Sequence, residues 1–140
     1  MPVNPPRWRQ IRAANARLLQ LPQGNLPAFE SLTDAELLAI ARLQSRFELG
    51  RRYFQQIIER GLWRFALRDQ LWRPAHVRDF VEAVEGAPAN EKCKAIIERG
   101  ILEYLKGALA TIEELELKRR LSEGSVRVPN AVRVPRELLD

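Results

Sequence analysis

From Glu91 to Glu123 the chain contains no proline, and Cys93, Ile97, Ile101, Tyr104, Ala108, Ile112 and Leu115 recur at steps of three or four. That spacing stacks them on one face of a helix, whereas a strand would need alternation at every second residue. The stretch predicts one long helix, or two joined near Gly100, stopped at Gly124. Glu114 and Glu116 stand four residues before Lys118 and Arg120, and Lys118-Arg119-Arg120 suit the negative end of the helix dipole. A segment of this length with no β alternation commits much of a 140-residue chain to helix.

The remainder follows the same rule. Trp8, Ile11, Ala14, Leu18 and Leu21 predict a helix from Arg7 to Leu21, with Arg9, Arg12 and Arg17 off its apolar stripe. The segment Leu21-Pro22-Gln23-Gly24-Asn25-Leu26-Pro27 breaks it. Thr33-Asp34-Ala35-Glu36 is a capping box flanked by Leu32 and Leu37, which opens a helix running through Ile40, Ala41 and Phe47 toward Gly50. Phe54, Ile58, Leu62, Phe65 and Trp72 predict a further helical stretch from Arg51 to about Arg73, ended by Pro74. Val77, Phe80, Val81 and Val84 give the next helix an apolar face, with Gly86 at its stop. The expected fold is all-α: a compact bundle of five or six helices over residues 7–124, a proline-rich arm at 1–6 and an extended tail at 125–140.

Composition narrows the function classes. A chain that is 46% hydrophobic and 29% charged is globular, and no apolar run approaches the roughly 18 residues of a spanning helix. Residues 1–7 lack the apolar core of a signal peptide. One cysteine, Cys93, makes no internal disulfide, and with His76 it makes no structural zinc site. The expectation is a cytoplasmic protein without cofactor or metal. Catalysis finds little support: His76 is the only histidine, has no metal-binding companion at short spacing, and reads as a cap or surface residue. Cys93 sits on an apolar helix face and reads as a buried, inert thiol.

The charge is uneven. Residues 1–78 hold thirteen arginines, no lysine and six acids, while residues 79–126 hold seven bases and ten acids. A front half this basic suits a polyanion. Arg60, Arg64 and Arg68 recur every four residues, which on one helix makes a row of about 12 Å. Arg42 and Arg46 form a shorter row, and Trp63 beside them offers a ring for base stacking. These six residues are the expected contacts to a nucleic-acid backbone, in a small non-enzymatic subunit of a larger nucleoprotein or DNA-processing assembly.

A reading of another class is a helical adaptor that docks on protein partners through its arm and tail. Val126, Val128, Val132 and Val134 would then alternate along an edge for β-addition. Oligomerisation through the long C-terminal helix fits either reading. The two separate on one point. Nucleic-acid contact needs Arg60, Arg64 and Arg68 open and contiguous with other arginines. The adaptor expects them paired with carboxylates, and the exposed apolar surface on the tail or the long helix.

One internal echo is visible: Ile57-Ile58-Glu59-Arg60-Gly61-Leu62 recurs as Ile96-Ile97-Glu98-Arg99-Gly100-Ile101. Two copies fall short of the three that helical arrays need, so a shared packing solution is expected, with Gly61 and Gly100 letting helices approach closely.

Several collinear segments carry a likeness to a known family. Leu32-Thr33-Asp34-Ala35-Glu36-Leu37-Leu38-Ala39-Ile40, Ala41-Arg42-Leu43 with Glu48-Leu49-Gly50-Arg51-Arg52, Arg73-Pro74-Ala75-His76-Val77-Arg78-Asp79-Phe80, and Gly124-Ser125-Val126 with Val134-Pro135-Arg136-Glu137-Leu138 are the segments in question. Together they resemble the RadC family, associated with DNA repair. The chain lacks that family's helix-hairpin-helix segment and its His-x-His-Pro metal motif. The resemblance therefore implies a reduced, metal-free relative associated with DNA.

Overall fold

The computed structural model describes residues 4–43, 46–122 and 126–140. Among these the chain is all-helical, with no strand. The described residues form eight helices, of which two are no longer than four residues, where five or six were expected. The chain's contacts divide it into two compact units, Met1–Phe65 and Ala66–Asp140. The first three residues of the arm and the expected helix stop at Gly124 lie outside the described residues.

In the first unit α1 runs Trp8–Leu19, and the Arg7 N–H at its start donates to Gln10 Oε1 at 2.7 Å. Ile11, Ala14 and Leu18 are buried and face α2, Asp34–Ile40. The capping box forms as its residues demand: Glu36 N–H donates to Thr33 Oγ1 at 3.2 Å and Thr33 N–H to Glu36 Oε1 at 3.0 Å. Leu37, Leu38, Ala39 and Ile40 are all fully buried. Four successive apolar residues leave the second half of this helix no polar face, so it is enclosed on all sides, and the helix stops after seven residues in a 3-10 turn, Ala41–Leu43. Helix α3, Gly50–Glu59, adds Tyr53, Phe54, Ile57 and Ile58 to the core, with Tyr53 and Phe54 edge-on at 4.8 Å.

The helix expected over Arg51 to Arg73 is broken. Helix α3 ends at Glu59, Gly61 takes φ 71°, and α4, Trp63–Phe65, is a single turn. The second unit begins with a π-turn, Ala66–Gln70, followed by Leu71 in the left-handed region at φ 49°. Helix α5, Pro74–Glu85, starts on its proline, whose missing N–H costs nothing at that position. Asn90 Oδ1 accepts from Lys92 and Cys93 N–H to open α6, Glu91–Glu98. Gly100 at φ 80° separates α6 from α7, Ile101–Ser122, and the two helices pack with α5. The tail stays extended until a last turn, α8, Arg136–Leu139.

The internal echo is a helix stop. In both copies the Arg N–H returns to the carbonyl four residues back, and the following Gly N–H bonds three back, at 3.0 Å in each case. In the first copy Leu62 N–H also reaches Ile57 O at 3.0 Å, the six-to-one bond of a Schellman cap. Gly100 serves this by its positive φ and not by close packing, since a Cβ there would meet nothing within 4 Å. Close helix approach at Gly100 is thus replaced by a conformational requirement.

Candidate functional site

The expected arginine row does not exist as a row. Arg60 lies at the C-cap of α3, Arg64 on the single turn of α4, and Arg68 in the π-turn of the other unit. Arg60 has only 20% of its side chain exposed. Its guanidinium donates to the carbonyls of Leu32 at 2.6 Å, Phe29 at 3.1 Å and Glu30 at 3.3 Å, and pairs with Asp34 at 3.2 Å. The segment Phe29–Asp34 has few backbone partners of its own, and the planar fork of one arginine supplies them. Arg68 pairs with the neighbouring Asp69 at 3.1 Å, and that carboxylate holds its guanidinium above the usual arginine range. Arg64 is exposed, with its guanidinium 5.2 Å from the centre of the Trp63 ring. Trp63 itself is 6% exposed and has no face for a base.

The shorter row also separates. Arg46 turns back to donate to Leu19 O at 2.9 Å and Leu21 O at 2.7 Å, closing the loop after α1. Only Arg42 keeps an outward position, lying 4.7 Å over the Trp8 ring. Of the six residues expected to meet nucleic acid, three therefore hold the chain's own carbonyls or carboxylates and one is buried. The signal for this was present but ambiguous, because a fork that grips phosphates grips backbone carbonyls equally well.

The tail differs from expectation in the same direction. Val132 is 3% exposed, and its N–H donates to Trp72 O at 2.9 Å. Val126, Val128 and Val134 are half-buried. Tyr104 Oη donates to Arg133 O at 2.9 Å, and the Arg99 guanidinium holds Leu138 O and Asp140 O. With Leu139 also buried, the tail is packed into its own unit, and Val132 is not available for pairing with another chain.

The exposed large apolar side chains are elsewhere. Four of the five are in α6 and α7: Ile97, Tyr104, Leu117 and Leu121, the last two 56% and 78% exposed. Helix α7 buries Ile101, Leu102, Leu105, Leu109 and Ile112 and then nothing more over its last ten residues. That end, about 15 Å of helix, carries Glu113, Glu114 and Glu116 before Leu117, and Lys118, Arg119 and Arg120 after it. The ion pairs along it, Glu114–Lys118 at 3.3 Å and Glu116–Arg119 at 2.8 Å, are exposed surface pairs of small energetic weight.

His76 is not a surface residue. It sits in the first turn of α5 and is 4% exposed. Burial first, and the charge of Arg73 second, hold its pKa below the ordinary 6.5. The neutral ring is then the folded form, so stability is present above pH 6.5 and is lost as pH falls toward the lowered value. Thermal unfolding between pH 7.5 and 5 should show a falling Tm, and His76→Phe should flatten that slope. An unchanged slope in the variant would assign the pH dependence to other groups. Cys93 is buried and free. Among the described residues no group of three or more His, Cys, Asp or Glu is placed to hold a metal ion, and no helix is long and apolar enough to cross a membrane.

No family model, curated protein or solved structure matches the chain.

Proposed function

We propose that this is a non-enzymatic helical assembly protein that pairs with a second copy of itself, antiparallel, through the last ten residues of α7. The uncovered pair Leu117 and Leu121 carries the reading. They stand four apart on one helix face, exposed, at the end of a helix that has stopped burying side chains. Apart from an exposed ion pair of Glu113 with Arg78 at 3.6 Å and the half-buried Leu115, this helix end has little packed against it. Propensity alone gives it little stability, and a partner helix would supply what is missing.

The charge order selects the partner. An antiparallel copy crossing near Leu117 sets Glu113, Glu114 and Glu116 beside Lys118, Arg119 and Arg120 of the other chain, and the reverse at the symmetric position. A parallel copy sets acid against acid and base against base. Two of the three arginines that the adaptor reading expected in carboxylate pairs, Arg60 and Arg68 but not Arg64, have them, and exposed leucine lies on the long helix as that reading expected. The docking element moves from the valines of the tail to α7. The cytoplasm is the compartment we assign, on the single buried thiol.

Light scattering on a sizing column tests this directly. At about 100 µM the mass should be near twice the chain's 16.1 kDa, and Leu117→Asp with Leu121→Asp should return it to that of one chain with unchanged helicity. Orientation is read by mixing two single variants, Glu113→Cys and Leu121→Cys. Oxidation should link unlike chains across an antiparallel crossing and like chains across a parallel one. A wild-type protein that remains one chain at about 0.5 mM overturns the proposal.

A further inference from the structure

The outward face of α1, together with Arg42, has a different chemistry, and from it we infer a binding surface for the phosphate backbone of a nucleic acid. Arg7, Arg9, Arg12 and Arg17 are all exposed, and the sequence contains no acid before Glu30. Glu30 is itself held by Arg52 at 2.7 Å, and Asp34 by Arg60. Among the described residues none of Arg9, Arg12, Arg17 and Arg42 has an ion pair. The first unit holds ten arginines, no lysine and five acids, while the second holds thirteen of each sign, so the whole net charge of +5 belongs to the unit that carries α1.

The residues are also contiguous. Arg9 and Arg12 are neighbours at i,i+3, and Trp8 and Arg12 at i,i+4. Trp8 rests on Phe65 at 5.6 Å and holds the Arg42 guanidinium 4.7 Å from its ring centre. Arg42 is thereby oriented before any ligand arrives, so less side-chain freedom is lost on binding. From Arg9 to Arg17 the helix rises about 12 Å, enough to meet more than one phosphate. Like charges at i,i+3 destabilise a helix, and an anion lying along them removes that cost.

Two alternatives are disfavoured by the same geometry. A basic amphipathic helix that lies on a membrane needs its apolar face free, and in α1 Ile11, Ala14 and Leu18 are buried in their own unit. An acidic protein surface offers carboxylates in no fixed array. Guanidinium forks grip carboxylate as well as phosphate, and it is the placement of Arg9, Arg12 and Arg17 along about 12 Å of helix that favours the regular phosphates of a backbone. Such contacts neutralise the backbone without reading bases, so affinity falls steeply with salt.

The test is fluorescence anisotropy with labelled single- and double-stranded oligonucleotides, from about 50 to 200 mM salt. Wild type should bind in the micromolar range and weaken at least about tenfold across that span. Arg9→Ala, Arg12→Ala and Arg42→Ala together should weaken binding at least about tenfold and lower the salt slope by about two to three. Arg127→Ala, Arg133→Ala and Arg136→Ala remove equal charge from the other unit and should change affinity less than about twofold. Absence of binding at about 50 mM salt overturns the inference. So does an equal loss in the two triple variants, or competition by poly-glutamate as strong as by unlabelled oligonucleotide. The monomeric Leu117→Asp, Leu121→Asp protein retains this face, so binding by that variant separates the inference from the α7 pairing.

Discussion

Arg60→Ala is expected to cost about 3 kcal/mol of folding stability, the range for a charged hydrogen-bonding hub whose partners are left inside the protein. The side chain ties the end of α3 to Phe29, Glu30, Leu32 and Asp34, and it is mostly enclosed, so solvent replaces few of the lost bonds. Three carbonyls and one carboxylate would lose a donor together. Arg60→Lys should recover less than half of the loss, since one ammonium cannot reach acceptors arranged around a planar fork. Arg64→Ala, an exposed arginine on a tryptophan, should stay within about 0.5 kcal/mol. Urea unfolding followed by circular dichroism measures all three. Equal effects at positions 60 and 64 would mean that the Phe29–Asp34 segment holds itself.

Deleting residues 126–140 should destabilise the second unit by about 4–6 kcal/mol. The deletion removes two buried apolar anchors, Val132 and Leu139, each contributing about 1.5–3 kcal/mol by burial. It also removes the Val132–Trp72 backbone bond, leaving Trp72 O without its donor, and exposes the surface under the tail. For a small domain such a change lowers Tm by well over ten degrees. The single change Val132→Asp should reproduce more than half of it, because the carboxylate would be buried among apolar groups. A tail free to dock on other proteins would instead be removed with no change in Tm. That contrast makes the measurement decisive for where the chain keeps its partner surface.

Local signals translated well where the chemistry is local. The Thr33–Glu36 box, the Pro74 boundary and the break near Gly100 depend on residues within one turn and are read from the string of letters, whereas the stop at Gly61 interrupts a stretch whose periodicity reads as one helix to Arg73. The Ile-Ile-Glu-Arg-Gly echo was visible too, although its meaning as a cap needs the sign of φ at the glycine. The uncovered end of α7 was half legible. Its charge order and leucines are in the sequence, but periodicity alone does not tell where burial stops along a helix.

The arginines show what sequence could not decide. Arg42, Arg46, Arg60 and Arg68 share one residue type and similar spacing, yet one lies outward on Trp8, two hold carbonyls distant in the chain, and one pairs with its neighbour. The same holds for Val132, whose alternation with polar residues reads as an edge but whose N–H finds Trp72 across sixty residues of chain. Helix type, the capped helix starts and the excess of positive charge were determined by the sequence itself, because propensity, capping and composition act over a few residues. Which cations remain free for a ligand, and which apolar surface remains uncovered, was decided only by the tertiary structure. A guanidinium or a valine is satisfied by whichever acceptor or cavity the fold brings near, and that proximity is not written in its neighbours.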